Sequence, residues 1–156
     1  MTTYPVSAGQ AAGFGPKYAV IPVHGFGIAV ATAVRMLDPD DRGGARILPP
    51  GEQIPYGTSP ILIAESTVYG LVCVEHMLRG WHASLPRPWL VLVSDAPAAP
   101  VTAARYRMRA LGSRLAGIAR IPYLPSLRTV ESADEALKYK DVQAAAVRLR
   151  SEIEGK

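Results

Sequence analysis

Four runs of apolar residues stand out along the chain, and each is continuous rather than alternating: Lys17 to Val23, Ser59 to Ala64, Trp89 to Ser94 and Leu115 to Ile121. A strand that is apolar on both alternating faces belongs in a sheet covered on both sides. Helical stretches separate the runs, at Ile28 to Leu37, Thr67 to Arg79 and Val101 to Leu111, with Gly80 and Gly112 where helix ends are expected. Ser132, followed by Glu135 three positions later, has the capping-box spacing and predicts a last helix running to about Glu154. Asp38 to Gly57 is dense in Asp, Gly and Pro and reads as a long loop. Connections of that length in a compact domain are often functional.

Strands alternating with helices imply βαβ crossovers. The expected fold is therefore α/β, a three-layer sandwich with a mainly parallel sheet of at least four strands. Met1 to Pro16, rich in Gly, Ala, Ser and Pro, reads as a flexible tail, and residues 17–156 as a single α/β domain.

Composition narrows this picture only slightly. The 156 residues are 49% hydrophobic and 19% charged, which suits a buried sheet and excludes a disordered chain. The net charge of +4 permits an acidic partner without requiring one. Cys73 is the one cysteine, so no disulfide forms within the chain, and no positive charge precedes the apolar residues of the first sixteen. Both features point to a cytoplasmic setting. The longest uncharged stretch, Tyr18 to Val34, is interrupted by Pro22, Gly25 and Gly27, and it is shorter than the roughly 20 residues a spanning helix needs. No membrane span is expected.

Ligands of an open parallel sheet bind beyond the carboxyl ends of its strands. The first strand delivers His24-Gly25-Phe26-Gly27 and leads into a helix. That order sets backbone N–H groups and a helix dipole against an anion. Laid on the spacing G-x-x-x-x-G-K-[ST], Gly25 is the first glycine and Thr32 the hydroxyl, while Val30 and Ala31 stand where the second glycine and the lysine belong. His24 is either a phosphate contact or general base, or a loop histidine bonded to backbone. Glu65, Ser66 and Thr67, after the second strand, offer ribose or metal contacts, or a cap for the next helix. Asp95 closes the third strand where phosphate-hydrolysing folds place a Mg²⁺-coordinating acid, or it caps the helix that follows. Cys73 and His76 share a helix face, but two ligands make no zinc site, and no metal is expected there.

No acid lies between Ala96 and Val130, while Arg105, Arg107, Arg109, Arg114, Arg120 and Arg128 do. Such a surface meets nucleic-acid phosphate, with Arg105, Arg107, Arg109 and Arg114 as the contacts, unless its charges pair with acids elsewhere in the chain. The last helix carries a seam at Tyr139, Val142, Ala146, Leu149 and Ile153, which docks on the protein's own sheet or on a second chain as a homodimer or with a protein partner.

The Gly-rich loop after strand one, the apolar strand closing in Asp95-Ala96-Pro97, the basic helix and the segment Ile121-Pro122-Tyr123-Leu124-Pro125-Ser126-Leu127-Arg128 follow one another in an order that resembles ParA/MinD-type P-loop ATPases. The likeness is to small degenerate relatives in actinobacterial genomes, often near conjugative or mobile-element genes, and it spans roughly residues 17–130. It implies a P-loop-NTPase-like fold, a nucleotide with Mg²⁺ as the ligand class, His24-Gly25 as the opening of the loop, and Asp95 as the acid. Both lysines of the family loop are absent. A positioned Lys stabilises the charge developed in phosphoryl transfer, so its loss argues against hydrolysis. The expected function is a non-catalytic binding or assembly module, associated with DNA or a DNA-transfer apparatus and needing no cofactor. The alternatives are an active nucleotide-dependent ATPase or switch with a non-standard loop, and a basic nucleic-acid-binding protein.

Overall fold

The computed structural model describes residues 16–25, 27–49 and 51–155. The chain runs β1 (Tyr18–Pro22), α1 (Ile28–Leu37), β2 (Ala45–Ile47), β3 (Ser59–Glu65), α2 (Val68–Arg79), β4 (Trp89–Val93), α3 (Thr102–Leu111), β5 (Gly117–Ile121), α4 (Ala133–Ala136) and α5 (Lys140–Glu154). All five strands pair in parallel, in the order β2-β1-β3-β4-β5. The expected parallel α/β sheet is therefore present, with five strands. Its order is that of doubly wound sheets of the flavodoxin type.

Side chains alternate across each strand into two cores. Tyr18, Val20, Ile61, Ile63 and Val91 face α1 and α5, which contribute Ala33, Met36, Val142 and Leu149. Leu62, Ala64, Leu90 and Leu92 face α2 and α3, which contribute Leu71, Val74, Leu78, Ala104 and Met108. The seam of the last helix thus lies mostly in its own domain: Val142, Ala146 and Leu149 are buried, Ile153 packs against them, and Tyr139 is exposed.

Three boundaries differ from expectation. The long loop contains an edge strand, β2, at Ala45–Ile47. Its start is shaped by Asp38, whose carboxylate accepts from the backbone N–H groups of Arg42, Gly43 and Gly44 at 3.1, 2.9 and 3.0 Å. The last helix is split: Ser132 caps a single turn, α4, by accepting from the Glu135 N–H, and α5 begins only at Lys140. Gly80 and Gly112 close their helices at φ −93° and −55°, and the left-handed C-cap is Gly155 at φ +74°. The tail expected over 1–16 lies, apart from Pro16, outside the described residues.

The far end of α5 is fastened to the start of β1. Lys17 Nζ and the Tyr18 hydroxyl both reach Glu154 Oε2, each at 3.2 Å. The hydrogen bond to Glu154 raises the Lys17 pKa, and burial raises that of Tyr18. A raised folded-state pKa contributes stability that is present at lower pH and fades as pH climbs through it. Tyr18→Phe should therefore flatten the loss of stability above pH 10, the ordinary tyrosine value, as read from urea midpoints at fixed pH. An unchanged slope would contradict that coupling.

Gly117 makes a close approach, since a Cβ there would lie 2.4 Å from the Trp89 ring. Gly117→Ala should cost about 1–3 kcal/mol through overpacking. Gly112→Ala, into open space at helical φ, should be neutral or stabilising by about 0.5 kcal/mol. Chemical denaturation of both variants compares the two.

Candidate functional site at the β1–β3 crevice

The winding of the sheet reverses at β1. The chain leaves β1 through α1 toward β2 on one side, and leaves β3 through α2 toward β4 on the other. A cleft of about 320 Å³ opens there, bordered by His24, Gly25, Gly27, Ile28, Val30 and Glu65. Open α/β sheets hold their ligands at such a reversal.

The turn after β1 forms one wall. Gly25 sits at φ +57°, a conformation that suits a residue without Cβ. No side chain caps α1 at Gly27. The first N–H groups of a helix have no partner within the helix, so the start of α1 offers donors and a partial positive charge to the cleft.

The end of β3 forms the facing wall. His24 Nε2 accepts from the Glu65 N–H at 3.0 Å. That bond assigns the ring proton to Nδ1. The ring stands edge-on to Tyr69, with centroids 5.6 Å apart. Thr67 Oγ1 accepts from the Gly70 N–H at 3.0 Å and caps α2. Gly70 packs so closely that a Cβ there would lie 2.2 Å from the Glu65 carbonyl oxygen. The β3–α2 turn is therefore rigidly set, and it leaves Glu65 exposed beside the cleft.

These contacts sort the residues expected from the sequence. His24, Gly25, Gly27 and Glu65 come together around the cleft. Thr67 serves as a cap, and Ser66 is buried, its N–H donating to the Val93 carbonyl. Val30, at the place of the second P-loop glycine, borders the cleft. Thr32 does not: it is 1% exposed inside α1, and its Oγ1 has no hydrogen-bond partner among the described residues. Phe26 lies outside the described residues. Asp95 is exposed after β4, which is separated from β1 by β3, so the two strands lie about 10 Å apart. It does not border the cleft.

Two arginines of the basic stretch are engaged within the fold, one of them by an acid. Arg107 pairs with Glu75 on α2 at 3.1 Å, and Arg114 donates to the Leu78 carbonyl at 2.6 Å. Arg105 and Arg109 remain exposed on α3, Arg105 with a 3.4 Å contact to Thr102. Among the described residues, no group of three or more His, Cys, Asp or Glu is placed to hold a metal ion. No helix among them is long and apolar enough to cross a membrane.

Sequence reasoning missed a second cavity. A groove of about 630 Å³ lies beneath the β2–β3 connection, and His24 and Gly25 line both it and the cleft. Its walls include Ile21, Ile54, Met77 and Trp81. The Pro-rich composition of that connection was the available signal, but which face it crosses depends on strand order. No protein-family model and no curated protein matches the chain.

Removing the acceptor on His24 should strand the Glu65 N–H. His24→Phe is expected to cost about 1 kcal/mol and to speed hydrogen exchange at the Glu65 amide. Unchanged exchange would show that the ring does not join the two walls.

Proposed function

We propose that this chain is a non-catalytic, ParA/MinD-like binding or assembly module whose degenerate phosphate loop receives an anionic group without turning it over. One observation carries the reading: the cleft stands at the reversal of the sheet, with the uncapped start of α1 on one side. Anions are favoured at such a helix terminus. Val30 and Ala31 occupy the positions of the loop's glycine and lysine, so the cation that would stabilise a phosphoryl-transfer transition state is missing from the loop. The acid beside the loop is Glu65, not Asp95. Glu65 is suited to accept from a hydroxyl, as acids do for the ribose in doubly wound sheets. The favoured ligand therefore carries both an anionic group and a nearby hydroxyl.

Titration with inorganic phosphate, AMP and ATP, with and without Mg²⁺, tests this reading by amide chemical shifts. Shifts are expected at Gly27 to Val30, without a requirement for Mg²⁺. Glu65→Gln should tighten inorganic phosphate several-fold by removing a like charge. ATP turnover by the pure protein that Asp95→Ala abolishes would overturn the reading and establish the active ATPase in its place. Tight Mg²⁺-dependent ATP binding would favour a nucleotide switch.

A further inference from the structure

The helices on the two faces of the sheet differ in charge. Together α2 and α3 carry a single acid, Glu75, against Arg79, Arg105, Arg107 and Arg109. On the other face α4 and α5 mix both signs, from Asp134 to Glu154. Glu75 serves two of the four arginines, at 3.7 Å from Arg79 and 3.1 Å from Arg107. Arg105 and Arg109 are exposed and meet no acid among the described residues.

A groove of about 760 Å³ lies where α2 meets α3. Glu75 borders it on α2, and Ala103, Tyr106, Ala110 and the buried Leu111 border it on α3. The Tyr106 ring stands 72% exposed at its rim. Successive helix residues turn by about 100°, so Tyr106 has Ala110 on its groove side and Arg109 on the other. Arg105 and Arg109 are one turn apart and form a row beside the groove. An apolar strip and a cationic strip therefore run side by side along α3. Aromatic residues and arginine are the side chains enriched where proteins meet.

This arrangement favours a polypeptide over nucleic acid. A phosphate backbone would meet the Glu75 carboxylate and leave the apolar wall unused. Its affinity also scales with the number of cations it neutralises, and here two are free. A helix with one apolar and one acidic side uses both strips at once. We infer that the α2–α3 face docks an acidic amphipathic helix of a partner protein, its apolar side against Tyr106, Ala110 and Leu111 and its carboxylates on Arg105 and Arg109. None of these residues borders the cleft beside β1, so the inference stands apart from the anion reading.

The test selects a displayed library of helical peptides, about five turns long, against the full chain. Each peptide carries a leucine stripe at helical spacing, with Glu, Gln or Lys at random on its flanks. Selected peptides should bear Glu on one flank and shift the amides of Ala103 to Leu111. Tyr106→Ala should weaken them about tenfold. Arg105→Glu combined with Arg109→Glu should turn the flank preference from Glu to Lys. All three positions are exposed, so these variants keep the fold. Selected peptides without an acidic preference, or peptides that shift other parts of the chain, would overturn the inference. So would a selection that yields no peptide. A DNA duplex that shifts the same amides more strongly than any peptide, and loses its grip steeply with salt, would put nucleic acid in the partner's place. A dimer seen in sedimentation and lost in Tyr106→Ala would put a second copy there.

Discussion

Right-handed crossovers are the constraint from which the rest of this molecule follows. A parallel strand connection almost always returns with one hand, because a right-twisted strand packs its crossover back on the sheet only that way. From β1 the chain moves to β2, on one side of the sheet, and α1 must lie on one face. From β3 it moves to β4, in the other direction, and α2 must lie on the opposite face. Two neighbouring strands thus send their chains apart. Nothing in the local sequence of β1 or β3 creates the crevice; it is the geometric remainder of two connections of the same hand. The His24–Glu65 hydrogen bond crosses that remainder and keeps its two walls in fixed relation.

The same rule accounts for the second cavity. The β2–β3 connection also moves toward β4, so it crosses β1 on the α2 face. It carries the chain between parallel strands with just under the dozen residues such a crossover usually takes. A chain this short and this rich in proline covers the strand without filling the space above it. Elsewhere the layers are dense: Leu62, Leu90 and Leu92 are at most 1% exposed beneath α2 and α3. The difference in packing along one face is therefore a consequence of which connection passes there.

Much of this fold was legible because a doubly covered parallel strand announces itself. Ile61 to Ala64 and Leu90 to Val93 are apolar without interruption, and no exposed antiparallel strand reads that way. β2 was hidden for the opposite reason. It has three residues at the sheet edge, one of them the exposed Arg46, and it lies among the glycines and aspartates that Asp38 gathers into a turn. The break in the last helix was equally silent, since Leu137 to Tyr139 hold no proline or glycine. At the site, the residues of the first turn could be named from the loop outline, because they are consecutive in sequence. The acid could not. Glu65 and Asp95 each follow an apolar strand, and only the insertion of β3 between β1 and β4 decides which one meets the loop.

That placement sets the energetics of the cleft. A helix N-terminus favours an anion by about 0.3–1 kcal/mol at an exposed site and by about 2 in favourable, partly buried geometry. A carboxylate bordering the same cleft opposes that attraction. With no lysine in the loop, the helix terminus is the attraction the cleft offers a bare anion, and Glu65 weakens it. A ligand that also presents a hydroxyl changes the sign, because a charge-assisted hydrogen bond to Glu65 turns the repelling group into an anchor. The absence of a lysine from the turn and the nearness of Glu65 act in the same direction: both weaken the case for a polyphosphate held by charge.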